Sequence, residues 1–279
     1  MPPAGANRQP RLVVCIKQVP DTAALRLDPR THTLRRGSAP AVVNPFDLPA
    51  IEEALRLRDL AGGRLTALSM GPPQAEAALR ETLARGADDA VLLCDPAFAG
   101  GDTWATSLVL AAAIRRLGGA DIVICGRQAA DGDTAQVGPG LAARLGLPQA
   151  TFVSAVHELS TASLIVERML DDGVERLRVR LPCLLTIGRA IHPPRLPTLA
   201  GLAAMRRKPL LRWGAADLGL DPRQTGLAGS PTRVVRVAVP RQTRRCEFLE
   251  GSAGERAAAL AARLRDWLGR NPAPAADGP

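Results

Sequence analysis

The chain has no tyrosine, and aromatic residues make up 3% of its 279 positions. Surfaces that bind nucleic acid pair basic groups with aromatic platforms. The formal net charge of +9 therefore reads as a general Ala/Arg/Pro bias, with a basic face toward an acidic protein or a phosphate-bearing ligand as the open alternative. No nucleic-acid partner is expected. Histidine is scarce, and His32, His157 and His192 share no spacing. The five cysteines include no C-x-x-C pair, and Cys15, Cys94 and Cys125 sit in or at the ends of apolar runs as small buried hydrophobes. No metal site is expected. Apolar runs such as 108–114 fall short of the ~20 residues of a membrane-spanning helix, and no charged-then-apolar leader opens the chain, so a cytoplasmic protein with no membrane span is expected. G-x-G-x-x-G after a strand, G-x-x-x-x-G-K-[ST], G-x-S-x-G and H-E-x-x-H are all missing, which removes the standard nicotinamide, P-loop, hydrolase and zinc-protease readings.

What is present is an alternation. At 46% hydrophobic content the chain can bury a full α/β core. Residues 1–10 are Pro/Gly-rich and expected to be disordered. RLVVCIK (11–17), LTALSM (65–70), AVLLC (90–94) and DIVICG (121–126) read as buried strands, since short apolar, β-branched runs between breakers suit a sheet covered on both faces. Amphipathic helices fill the gaps: one capped by Asp47, one opened by Pro72 and Pro73, one capped by Asp102 or Thr103, and one capped by Asp133 or Thr134. The alternation predicts an α/β domain over 11–191 with a doubly wound, mostly parallel sheet. After residue 150, TFVSAV, SLIVERM and ERLRVRL add antiparallel strands with a turn at Asp171, Asp172 and Gly173, and CLLTIG (183–188) is expected to return to the sheet. From 192 to 279 the chain lacks the periodicity of a second core. It reads as an extended C-terminal arm with a closing helix over 254–268 and a frayed tail.

Ligands of such sheets bind beyond the carboxyl ends of the strands, which selects two loops. GRQAADGDTAQVGP (126–139) carries Gly126, Gly132 and Gly138 for close backbone approach, and Asp133, Thr134 and Gln136 beside a helix start, a composition that suits a phosphate cradle. DPAFAGGDTWATS (95–107) leaves its strand in the same way, with paired glycines, Asp102 and Thr103. Ordinary capped loops are the alternative at both. Arg127, Asp131 and Asp133 read as cap and countercharge, and no catalytic residue is assigned.

At these motifs the chain resembles the beta subunit of electron transfer flavoproteins, over roughly residues 11–240. IKQVPDT (16–22), VVNPFD (42–47), LSMGP (68–72), LARGADDA (83–90) and VERMLDDGVERLRVRLPCLLT (166–186) occur in the family's order. The resemblance implies a Rossmann-like domain of the adenine-nucleotide-binding kind, paired with an alpha subunit on which residues 192–279 would pack. It also implies electron exchange with an acyl-CoA dehydrogenase or a quinone-linked oxidoreductase partner. Carried over by position, the nucleotide pocket would use Cys15, Asn44, Pro45, Phe46, Asp47 and Met70. It would continue through Gly126, Arg127, Gln128, Ala129, Asp131, Gly132, Asp133, Thr134, Ala135, Gln136 and Val137. Leu199 falls where the family places a partner-anchoring leucine.

Two kinds of beta subunit exist, and DGDTAQVGP and AFAGGDTWATS are similar to the nitrogen-fixation-associated and electron-bifurcating kind. That likeness implies FAD in this subunit, with NADH as transient donor, held by the backbone of 126–137 and by the 101–106 turn with Gly101, Asp102, Thr103 and Thr106. The housekeeping kind holds AMP instead, and Phe46 resembles its loop. Met169 stands where many housekeeping members carry a carboxylate. A stand-alone nucleotide sensor of the same broad fold is a further alternative.

Overall fold

The computed structural model describes residues 9–21, 40–188, 191–235 and 246–270. Much of the expected disordered N-terminus (1–8) and the tail (271–279) lie outside the described residues. The chain divides into two compact units, Met1–Arg233 and Val234–Pro279.

In the first unit β1 (Arg11–Ile16) lies at the centre of a nine-stranded sheet. Its residues alternate between two layers, as a period of two requires. Leu12, Val14 and Ile16 join one buried cluster, which also holds Ile51, Leu55, Leu79 and Leu83; Val13 and Cys15 join another, with Val109, Leu110 and Leu141. The first layer belongs to α1 (Leu48–Ala61) and α2 (Glu76–Arg85), the second to α3 (Thr103–Arg116) and α4 (Val137–Leu145). A short hairpin of β2 (Gln18–Pro20) and β3 (Ala41–Val43) leads from β1 toward α1.

From β1 the sheet grows one way through β4 (Arg64–Met70) and β5 (Asp89–Leu93), all parallel. The chain then crosses back to place β6 (Ile122–Gly126) on the other side of β1. Strand order thus reverses about β1, and a crevice opens at the carboxyl ends of β1 and β6. β7 (Gln149–Leu159), β8 (Ser163–Met169) and β9 (Val174–Arg180) form an antiparallel meander, while β10 (Cys183–Ile187) inserts parallel between β6 and β7. The α/β class, the parallel centre and the antiparallel addition match the sequence reading.

Three details differ from it. The arm expected from residue 192 supplies the helix α5 (Leu199–Ala204) and an edge strand β11 (Leu210–Trp213) parallel to β5, and the first compact unit continues to Arg233. The Asp47 side chain makes no capping bond to α1. Helix α4 starts at Val137 after Gln136, and not at Asp133 or Thr134. Asp102 does cap α3, accepting the Ala105 N–H at 3.1 Å.

The second unit holds α6 (Ala253–Arg270). It opens on a capping box: Ser252 Oγ accepts the Glu255 N–H, and the Glu255 carboxylate accepts the Ser252 N–H at 2.8 Å.

Candidate functional site

The carboxyl ends of the central strands open onto a cleft of about 770 Å³, in the ~300–1,000 Å³ range of small-molecule sites. Of the residues selected from the sequence, Cys15, Asn44, Asp47 and Met70 line it. Gly101, Asp102, Thr103 and Thr106 line its α3 side, and Gly126, Arg127, Gln128, Ala129, Gly132, Thr134, Ala135, Gln136 and Val137 its α4 side. Pro45, Phe46, Asp131 and Asp133 are not in the wall, and Leu199 stands elsewhere, 87% exposed at the head of α5. The sequence reading missed Lys17, Cys94 and Leu110 in the wall, and took Asp95 and Phe98 only as part of the 95–107 loop. For Lys17 and Cys94 the signal was positional, since each directly follows a strand; Leu110 lies within α3 and carried none.

Several polar residues read as ligand contacts hold the β6–α4 loop through bonds within the protein. The buried Asn44 amide donates to the Asp47 carboxylate at 2.9 Å and to the Gln128 carbonyl at 2.8 Å, and its oxygen accepts the Ala130 N–H at 3.1 Å. The second Asp47 oxygen accepts the Lys17 N–H at 2.7 Å. Burial pushes the Asp47 carboxyl up to about 7, against the pull of the bonds from Lys17 and Asn44 and of the Lys17 charge. Lys17 Nζ pairs with Asp131 at 2.7 Å, and Gln128 donates to the Asp133 carboxylate. The Arg127 guanidinium stacks 4.8 Å above the Phe152 ring.

The loop glycines divide in the same way. A Cβ at Gly126 would stand 2.1 Å from Asp47 Oδ1 and 2.6 Å from the Phe46 carbonyl, and one at Gly138 would stand 2.5 Å from Thr186 Cγ2. Both glycines line the cleft and are also demanded by protein packing. Gly132 has nothing within 4 Å, so open space adjoins the loop there.

Between these anchors the loop is strained. Asp133 and Ala135 have φ of 51° and 54°, left-handed values that non-glycine residues adopt at a cost. Among the described residues the N–H groups of Thr134, Ala135 and Gln136 find no protein acceptor. Unpaired amides leading into the positive end of α4 are donors suited to an anion. The start of α3 differs. Burial alone would raise the Asp102 carboxyl, but bonds from Ala105 and from the Thr232 hydroxyl and N–H bring it below its ordinary value. A carboxylate already occupies that helix start, so the α3 side offers glycine backbone and the Thr103 and Thr106 hydroxyls. A phosphate-bearing ligand fits this donor set.

Among the described residues no group of His, Cys, Asp and Glu is arranged to hold a metal, and no helix is long and apolar enough to cross a membrane.

Comparison with known proteins bears directly on this arrangement. Residues 31–218 match the profile described as "Electron transfer flavoprotein domain". The chain is 49% identical to the electron transfer flavoprotein subunit beta of Thermoanaerobacterium thermosaccharolyticum, over 91% of this chain and 97% of that one. It is 50% identical to protein FixA of Azorhizobium caulinodans, over 82% of this chain and 84% of that one. It is 43% identical to the caffeyl-CoA reductase-Etf complex subunit CarD of Acetobacterium woodii, over 92% and 98%.

Proposed function

The chain belongs to the electron transfer flavoprotein family as a Fix-type beta subunit, and from that premise we propose that its cleft holds FAD and that the protein relays electrons through it. The observation that carries the proposal is the turn of unpaired amides at Thr134, Ala135 and Gln136 beside the open space at Gly132. The amides would bind the diphosphate, and the cleft of about 770 Å³ is also lined by Phe98 and Leu110 on the α3 side. FAD bound there supplies the conversion of two-electron into one-electron transfer. The chain's own work is binding, orientation and exclusion of water: Asn44 and Asp47 fix the loop, and Met70, Phe98 and Leu110 contribute apolar wall. Electron relay of this kind needs no side chain to act as acid, base or nucleophile.

The working unit is a heterodimer with an alpha subunit. NADH or an acyl-CoA dehydrogenase serves as donor, and a quinone-linked or low-potential protein as acceptor. Leu196 and Leu199, 80% and 87% exposed, present the apolar side chains for partner docking. Phe46, the residue that pointed toward an AMP-holding subunit, turns its carbonyl toward Gly126 and is not in the cleft wall, so it does not bear on ligand size.

Counting flavin in the gently purified heterodimer tests the proposal. Two FAD per heterodimer are expected. One FAD with one AMP makes the cleft a structural nucleotide site, and a lone chain that binds ATP as a stable monomer makes it a sensor.

A further inference from the structure

Cys15 and Cys125 are register partners on the adjacent parallel strands β1 and β6. Both wall the cleft, and both are otherwise buried, at 8% and 5% exposure. Neighbouring strands lie ~4.8 Å apart, inside the ~4.4–6.8 Å between α carbons that a disulfide spans. Within the same compact unit the remaining cysteines cannot join them: Cys94 follows β5, two strands from β1, and Cys183 lies on β10 in the opposite layer. Nothing in electron relay as described above uses the pair.

We propose that Cys15 and Cys125 are a dithiol modification site on the cleft floor, oxidised to a disulfide by low-molecular-weight disulfides when the cleft is open and shielded by whatever nucleotide fills it. The shielding rests on the nucleotide reading of the cleft, whereas the pairing of the thiols does not.

The chemistry is two exchanges. One cysteine thiolate attacks a reagent disulfide R–S–S–R, forming a mixed disulfide and releasing R–S⁻. The second thiolate attacks the protein sulfur of that mixed disulfide, closing the Cys15–Cys125 bond and releasing the second R–S⁻. Two protein thiols lose two protons and two electrons, and one reagent disulfide becomes two thiols. The partner thiol is held in place by the strand register, so closure is intramolecular and outruns a second attack from solution. The hydrogen bond shared with Cys15 and burial push the Cys125 thiol well above its usual range, so oxidation quickens as pH rises.

The test uses the full-length chain carrying Cys246→Ser and the neutral reagent 4,4′-dithiodipyridine. Release of two thiopyridones per reagent consumed is expected, with a product two hydrogens lighter and a linked peptide pair containing Cys15 and Cys125. Cys15→Ser and Cys125→Ser should each trap a thiopyridyl adduct on the remaining cysteine. Stable adducts on both cysteines of the parent, or a bridge to Cys94 or Cys183, overturn the pairing. With FAD or AMP at a hundred times its dissociation constant, oxidation should slow about a hundredfold. An unchanged rate while binding is independently measured overturns the shielding. If neither nucleotide binds, the cofactor reading is defeated, and thiol release and product mass then decide the pairing alone.

Discussion

The Asn44 amide stands 2.9 Å from the Asp47 carboxylate and, with the same nitrogen, 2.8 Å from the Gln128 carbonyl. One buried side chain thus ties the start of α1 to the loop that forms the cleft wall. Asn44→Ala leaves the Ala130 N–H, the Gln128 carbonyl and one Asp47 oxygen short of a partner, and should cost roughly 2–4 kcal/mol. The urea midpoint should fall with an unchanged slope, and bound nucleotide should fall with it. An unaltered midpoint would show that the loop does not depend on this tie.

Gly126 and Gly132 should separate on substitution although both belong to the same loop. Gly126→Ala drives a Cβ against Asp47 Oδ1 and the Phe46 carbonyl, neither of which is the end of a flexible chain, so a destabilisation of about 2 kcal/mol or more is expected. Gly132→Ala meets nothing and should stay within about 0.5 kcal/mol, or gain slightly through the less mobile unfolded chain. Equal losses at the two sites, by thermal or urea unfolding, would contradict the packing described.

The same pair of glycines marks how far sequence could carry. β1, β4, β5 and β6 were legible because strands buried on both faces must be continuous apolar runs. β11 was not: it is a four-residue edge strand with Leu211 and Arg212 exposed, so no run or alternation marks it within a Pro- and Arg-rich stretch. The position of the cleft followed from the order of strands and helices. The duties of its polar residues did not, because Asn44 bonds a carbonyl 84 positions away, and an Asn near a ligand loop looks the same whether it holds ligand or loop. Asp133 and Thr134 resemble helix caps in composition, but the left-handed turns at Asp133 and Ala135 delay the helix to Val137.

Glu53 should make the protein lose stability as pH rises from about 4.5 toward 7. Its carboxyl is pushed up to about 7 by burial, opposed by the Arg56 charge and reinforced by Glu52. His192, 3.3 Å away, is itself held below its usual value by burial and by Arg56. The native state therefore binds a proton that the unfolded state has released, from about pH 4.5 up to about 7, and stability falls across that window by up to about 3 kcal/mol. Asp47 contributes a fall of the same sign. Glu53→Gln should flatten the Glu53 share, so the variant gains on the parent at about pH 8 and not at about pH 5. Urea midpoints at the two pH values check it, and parallel profiles for parent and variant would remove Glu53 from the account.

Gly132→Glu asks whether the turn at 134–136 binds an anion. The site has room for the side chain, because nothing lies within 4 Å of a Cβ there, so folding should be unaffected while a carboxylate enters the space beside the unpaired amides. A negative charge ~5 Å from a phosphate costs roughly 1–3 kcal/mol between water-like and surface-like dielectrics, a loss of roughly five- to more than a hundredfold in affinity for the nucleotide held by this chain. Gly132→Gln brings the same bulk without the charge. If the turn is an anion site, the Gln variant should retain most of the nucleotide, and the Glu variant should recover part of it as added salt screens the repulsion. Equal losses in the two variants, indifferent to salt, would mean that the space at Gly132 admits an uncharged part of the ligand, and would place the phosphates elsewhere in the cleft.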